Sequence, residues 1–488
     1  MPNVLKMCGL IIQQMWRKRF PVISVVIFML GLSFHLMAGP TNRYVSLSGG
    51  DHWPYTNWAD AGTNIIDVVN VANGYNEGDM VVVSNGTYIL TNSIYVTYST
   101  VSNFNGNRSA TVIQGNKQNR CFLMSNSQAA VHGFTITNGK ADYGGGVSMV
   151  KGGLLNNCTI VGNCATGSSW GMGGGGVYCG RDAGIITNCL IIQNVATQSA
   201  FGGGINCDGW ANKVKIYNST IVSNMVFTAN CTGRGGGCFV QDCYIYNSVI
   251  VMNSADYGAG VAMSHSSYLQ NCVISNNTAN SRGGGLYLLG WAYVQNCIVI
   301  LNTAITNGGG GSIEGGGRVG PGLLKNSLVI GNYAGTYGGG VYCNNSSATT
   351  GLIANCTIVS NSCGNRGGGL NVDSGANCFM TNSIVYFNSD AAGNSNSYGL
   401  KSSTFSFIAP TNDLTTDNIN NISGNPQFVD KDTVNWRLRV NSPCVNTGTN
   451  QDWMTNSFDL DGRQRIRYGT VDMGAYETIY EGTIYRIP

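Results

Sequence analysis

The residues of this chain best suited to acid–base chemistry are three aspartates. Asp182, Asp208 and Asp242 each fall just after an apolar strand in three successive repeats, with Arg181, Trp210, Lys213 and Lys215 close by. Paired carboxylates across a cleft would serve inverting hydrolysis of a glycosidic bond, and a base beside cations would serve elimination from a sugar acid. Ordinary loop solvation explains the same residues and is the first reading; catalysis is the alternative. Asp459-Leu-Asp-Gly462 has part of a calcium-loop spacing, but the remaining ligands are missing and it reads as a turn. There are 17 cysteines and none forms a CxxC pair, so no metal site and no cofactor are expected. The net charge of +3 over 488 residues comes without a basic stripe, which argues against a nucleic-acid partner.

A different spacing points to binding. Tyr143, Phe201, Arg234, Tyr257, Arg282, Tyr337 and Arg366 each stand immediately before a glycine triplet or its equivalent. Aromatic faces and guanidinium planes stacked on one edge would form a strip suited to glycan rings or to a partner surface. The plainer reading is that they stack on one another and shield the glycines.

What must position them is a repeat of 24 to 31 residues. Its second half reads apolar, any, Asn, Cys or Ser, any, Ile or Val, any, any, Asn. The leading Asn recurs at Asn157, Asn188, Asn218, Asn247, Asn271, Asn296, Asn326, Asn355 and Asn382. Its first half is the glycine triplet, placed at Gly144, Gly174, Gly202, Gly235, Gly258, Gly283, Gly309, Gly338 and Gly367, followed by alternating apolar residues. A strand has a side-chain period of two, so apolar positions three apart across the Asn mean the chain turns there. Asn suits such a corner because it tolerates left-handed backbone angles. Three short strands per repeat, piled at ~4.8 Å, predict an all-β, right-handed, three-faced parallel β-helix. The Asn ladders are expected to be structural and to bond coil to coil through their amides. Cys158, Cys189, Cys272, Cys297 and Cys356 alternate with Ser219, Ser248, Ser327 and Ser383, which marks a small inward position.

Taken in order, residues 1–38 carry Trp16-Arg-Lys-Arg19 and then an apolar run from Phe20 to about Met37, the pattern of a cleaved signal peptide. Residues 40–130 are read as an N-terminal cap and first coils. Ile65, Val68, Val69 and Ala72 predict a short helix there, with Thr63 or Asn64 as N-cap and Gly74 just past its end. Residues 131–400 hold the regular repeats, and 401–488 are richer in charge and read as a C-terminal cap or module.

That last segment contains Asn425-Pro-Gln-Phe-Val-Asp430, Trp436-Arg-Leu438, Asn441-Ser-Pro-Cys444, Asp459-Leu-Asp-Gly462 and Gly469-Thr-Val-Asp-Met-Gly-Ala-Tyr-Glu477. These motifs resemble the C-terminal region of bacterial right-handed β-helix proteins with a choice-of-anchor Q domain. The glycine-triplet and Ile-x-x-Asn repeats are similar to those of chlamydial polymorphic outer-membrane proteins. The resemblance implies a pectin-lyase-like solenoid that is exported, secreted or associated with the outer membrane, and often adhesive. No outer-membrane barrel of its own is expected, because the run up to Ile487-Pro488 lacks the many alternating ~10-residue strands a barrel needs. The Asn-Thr-Asp and Gly-His-Gly motifs of pectate lyases and polygalacturonases are absent, and Arg465-Ile-Arg467 stands alone. The expectation is an exported binding, adhesive or structural protein that meets the membrane only through export, with polysaccharide or cell-surface glycan as partner. A polysaccharide lyase or glycoside hydrolase on the same fold is the alternative, and oligomeric state is left open.

Overall fold

Apolar residues at alternate positions of short strands are buried when other strands lie opposite, and here the three faces of the winding chain enclose one core while each strand pairs with its equivalent one coil later. The computed structural model describes residues 40–169, 171–182, 184–198, 201–209, 214–314, 320–344, 350–391, 393, 396–408 and 418–479; the segment 1–38, Trp210, Lys213 and residues 480–488 lie outside them. Within these residues the protein is a parallel β-helix of about ten turns. One coil shows the logic. Val214–Tyr217 lies in the first face, Asn218 turns the corner, and Thr220–Val222 lies in the second face. Met225–Phe227 forms a short edge, the glycines Gly235 to Gly237 turn again, and Cys238–Gln241 lies in the third face. The first, second and third faces contain 15, 13 and 12 strands, all paired in parallel from coil to coil.

Beside the three expected faces, a fourth, nine-stranded ladder of two to five residues per strand runs along the edge after the second face. Its inward position is small: Ala165, Ala196, Val226, Ala255, Ala279 and Ala304 form their own buried cluster. Larger side chains there would hold the edge away from the glycine turn.

The core is a set of columns. Leu155, Ile186, Ile216, Ile245, Leu269, Val294, Leu324, Ile353 and Met380 line the first face from inside, each 3% exposed or less. Burial of such side chains contributes about 1.5–3 kcal/mol each relative to exposure. The Cys and Ser column is buried too, and its interchange has a local cause. Ser219 Oγ donates to the Tyr217 carbonyl at 2.7 Å, while Cys189 Sγ faces the Thr187 carbonyl two residues back at 3.2 Å. Either side chain can serve that carbonyl.

The leading asparagines take the left-handed corner, with φ between 48° and 56°. Their amides, however, reach varied partners: Asn157 bonds the Gly106 carbonyl, Asn326 the Phe458 carbonyl, and Asn382 both Asn355 and the Thr449 carbonyl. The unbroken amide ladder belongs to the last Asn of the motif. Asn163, Asn194, Asn224, Asn253, Asn277, Asn302, Asn332, Asn361 and Asn388 are all buried. Each side-chain amide donates to the Asn Oδ1 of the next rung at about 3 Å and to a carbonyl of the preceding coil, as Asn224 does to Asn253 Oδ1 and Ile191 O. The amide is held inside the turn, where the coils before and after it satisfy both of its N–H groups.

The glycines are required by close approach. A β-carbon on Gly340 would sit 2.5 Å from the Gly369 carbonyl oxygen of the next coil. In the coil after Gly285 the triplet begins one residue earlier than its spacing suggested: Gly308, at φ 69°, occupies the turn, not Gly309. The coil with Gly-Ala-Gly, residues 258–260, borders the one recorded register shift among the described coil pairs, between Ala255 and Tyr257.

At the N-terminal end, the helix α1, Ile65–Gly74, buries Ile65, Val68, Val69 and Ala72 in the same core as Val45, Val81 and Val83. Asn64 caps it by accepting from the Ile66 N–H, and Gly74 is its last residue, not the residue beyond it. At the other end coils continue past Leu400, with Ser402–Thr404 and Phe407–Ile408 still paired to the stack. The following segment then folds back along it: Ala475 N donates to Thr357 Oγ1 and Gly474 N to the Asn382 carbonyl.

Candidate functional site

The residues before the glycines do form a column. Parallel bridges join Gly173, Phe201, Arg234 and Tyr257, then Arg282, Asn307, Tyr337 and Arg366, and the strand pairing joins Tyr257 to Arg282. Beside it runs a second column that the sequence reading missed: the outward residue of each third-face strand. In register these are Ser148, Tyr178, Asn206, Phe239, Ala262, Tyr287, Ser312, Tyr342, Asn371 and Tyr398. Large and small residues alternate along most of it. The signal was present as the residue two places after each triplet, between two inward apolar positions.

The two columns pack across each other. Tyr143 meets Tyr178 at 4.8 Å between ring centroids, Phe201 stacks on Phe239 at 4.4 Å, and Tyr257 meets Tyr287 at 5.2 Å. The guanidinium of Arg234 lies 5.7 Å from the Tyr287 centroid, and that of Arg366 lies 4.9 Å from Tyr337 and 4.2 Å from Tyr398. Such contacts are worth about 0.5–1.5 kcal/mol for ring pairs and about 0.5–2 kcal/mol for cations on rings. The small residues Ser148, Asn206, Ala262, Ser312 and Asn371 are buried beneath them. Phe201 is buried, whereas Tyr143, Arg234, Tyr257, Arg282, Tyr337 and Arg366 are half-buried.

Charge is distributed unevenly along the strip. Glu314 is buried and accepts from Arg282 Nη1 at 3.0 Å, Ser312 Oγ at 3.0 Å and Tyr287 OH at 2.9 Å. Tyr342 OH donates to Asp373 at 2.5 Å. Burial first, and then the adjacent carboxylates Glu314 and Asp373, push both phenols above their ordinary values, so they remain donors. Arg282 is therefore neutralised by its own neighbour. Arg234 and Arg366 have no carboxylate within ion-pair distance among the described residues.

The alternative aspartate cluster occupies three different places of the coil. Cys179, Cys207 and Val240 are in register. Asp182, Asp208 and Asp242 lie three, one and two residues beyond them, so they form no column. Asp182 pairs with Lys151 at 3.5 Å, Asp208 with Arg181 at 3.9 Å, and Asp242 sits at a left-handed corner with φ 48°. Lys215 is exposed on the first face, between Ile185 and Tyr244 in the strand ladder. Lys213 lies outside the described residues.

Asp459-Leu-Asp-Gly462 is a turn: Asp459 Oδ1 accepts the Asp461 and Arg463 N–H groups, and Asp461 pairs with Arg437. No group of three or more metal-ligating side chains is gathered among the described residues.

A second aromatic surface, also missed, lies on the first face. Tyr244, Tyr268 and Tyr293 stack with centroids 5.0 and 4.6 Å apart, and Tyr217 stacks on Tyr246 at 5.5 Å.

No family model matches the chain, and no curated protein matches it. Among solved structures it is similar to a mannuronic acid specific polysaccharide family 6 lyase enzyme from human gut microbiota, at 12% identity and a TM-score of 0.22, over 57% of this chain and 81% of that one.

Proposed function

We propose that this protein is an exported carbohydrate-binding β-helix that holds a polysaccharide along the strip of Tyr143, Phe201, Arg234, Tyr257, Arg282, Tyr337 and Arg366. The observation that carries the reading is the pair of interlocked columns, in which a ring or a guanidinium plane stands in every coil from Tyr143 to Arg366 except that of Asn307 and Ser312, beside buried small residues. A periodic, largely pre-ordered surface suits a periodic ligand because little side-chain freedom is left to lose on binding. Burial and mutual stacking are also what a purely structural strip would have, so the test must read binding itself. Glu314, the most buried acid of the strip, already accepts three hydrogen bonds, and the aspartates near the third face do not converge; both favour binding over catalysis.

The full purified chain should retain one or more acidic or neutral polysaccharides on a polymer panel. The Tyr257→Ala/Tyr337→Ala pair should weaken retention at least tenfold while leaving the far-UV spectrum unchanged. Absence of retention on every polymer, or unchanged retention by the double variant, would remove the proposal. Release of unsaturated or reducing sugar products would move the assignment to the enzyme class. Export belongs to the same proposal: the mature protein from a secreting host should begin near Ala38, as N-terminal sequencing would read.

A further inference from the structure

Near one end of this strip three buried polar groups lack partners among the described residues, two of them in one coil and the third two coils before it. Asn371 is 1% exposed and its Nδ2 donates to no described residue; Arg366 Nε is likewise buried and has no partner among the described residues. Asn307, 7% exposed, has an unpaired Oδ1 two rungs back in the Arg366 column. Leaving such groups unpaired costs about 1–3 kcal/mol each, more when charged, so each one calls for an explanation.

Local geometry brings the two donors to one place. Arg366 and Asn371 flank the triplet Gly367 to Gly369, and a β-carbon on Gly367 would lie 2.9 Å from Asn371 Cβ, so only glycine lets that side chain come up against the turn. Asn371 pairs in register with Tyr398, whose ring covers the Arg366 guanidinium at 4.2 Å. Tyr337 borders the guanidinium on the preceding coil at 4.9 Å. The result is a cation between two rings, with an amide donor beside it and no carboxylate of the described chain within ion-pair distance. Arg282, three rungs away, has Glu314 to neutralise it. Arg366 does not.

We propose that the Arg366, Asn371, Tyr337 and Tyr398 cluster is a subsite for the carboxylate of an acidic sugar, bound as part of the polysaccharide held by the strip. This rests on the proposed carbohydrate reading and adds the substrate class. A carboxylate accepts from both orphaned donors and pairs with the guanidinium, while the flanking rings take the apolar face of the sugar. A neutral sugar would satisfy a donor but leave the cation unpaired, which makes the charge, not the ring, the discriminating feature.

The test compares polygalacturonate with the same polymer after reduction of its carboxylates to alcohols, using the unaltered full chain and calorimetry or retention assays. The acidic polymer should bind at least tenfold more tightly, since hydrogen bonds to charged groups are worth about 1.5–3 kcal/mol and 1.4 kcal/mol is tenfold. Its affinity should fall with added salt. Arg366→Gln should abolish the difference between the two polymers, Arg366→Lys should restore part of it, and Asn371→Leu should reduce it. Equal binding of the two polymers would overturn this subsite while leaving the strip intact. Binding of neither would remove the carbohydrate reading and the subsite with it. Equal or tighter binding of polyglutamate would overturn the sugar assignment in favour of an acidic peptide. The polymer comparison needs no variant, so a variant that fails to fold leaves the test standing.

Discussion

Asn277 is the sharpest probe of what holds the coils together. Its Oδ1 accepts from the Asn253 N–H at 2.9 Å and from Asn253 Nδ2 at 3.0 Å; its Nδ2 donates to Ile250 O at 3.1 Å and to Asn302 Oδ1 at 2.9 Å. Asn277→Ala deletes all four bonds in a fully buried place. Some groups keep other partners: Asn253 Nδ2 still reaches Ile221 O, and Asn302 Oδ1 still accepts the residue 277 N–H. The Asn253 N–H loses the acceptor that held it. At about 1 kcal/mol per bond, the loss should be ~4 kcal/mol. A solenoid unfolds in neighbouring units, so the cost should concentrate in the coils around Ile250 and Ile274. Native-state hydrogen exchange read residue by residue is therefore the assay, with the denaturant midpoint as a global check. The control is Asn247→Gly: Asn247 is exposed at a left-handed corner with φ 49°, which glycine adopts freely. It should shift stability by no more than ~0.5 kcal/mol. If Asn277→Ala costs no more than Asn247→Gly, the inner amide ladder is not what joins the rungs.

The other expectations follow from the glycine turns and the C-terminal segment. Gly340→Ala would bring a β-carbon 2.5 Å from the next coil's carbonyl and should destabilise by about 1–3 kcal/mol or more; Gly74→Ala, with nothing within 4 Å at the end of α1, should be neutral or stabilising by up to ~1 kcal/mol. Urea titration of the two variants would refute the reasoning if their order were reversed. Arg465 and Glu477 form a buried pair at 3.2 Å. Burial pushes the Glu477 carboxyl up from 4.5 to about 9, against the pull of Arg465 and with help from Asp472. Because the folded carboxyl holds a proton that the unfolded chain releases, this contribution to stability is complete below about pH 4.5 and is lost as pH rises towards 9. Chemical denaturation at several pH values, followed by tryptophan emission, should show that fall, and Glu477→Gln should flatten it; a rise with pH in the unaltered chain and no difference in the variant would refute the account.

The architecture was legible because one-dimensional order in the chain becomes vertical order in the solenoid. The Ile160 and Ile191 phase, the corner role of Asn157 and the smallness of Cys158 and Ser219 follow from their spacing, since each place in the motif has the same neighbours one coil above and below. The fourth ladder was harder to read because its strands are as short as the two residues Cys164–Ala165, too brief for periodicity to register. The Asn column to watch was also hidden: Asn157 and Asn163 look alike in sequence, and only the fold sends one to the surface corner and the other inside.

The sequence by itself determined that this chain winds into a β-helix and that Arg and Tyr recur beside the glycines, because repeat spacing and side-chain period are local properties of the chain. Tertiary structure decided which of those residues have charge to spare. Arg282 and Arg366 hold the same place in the repeat, yet Glu314 lies one rung from the first of them along the third face and no described acid stands within ion-pair distance of the other. That difference depends on which side chains of neighbouring coils are stacked together, a fact about contacts across the helix that no single repeat contains.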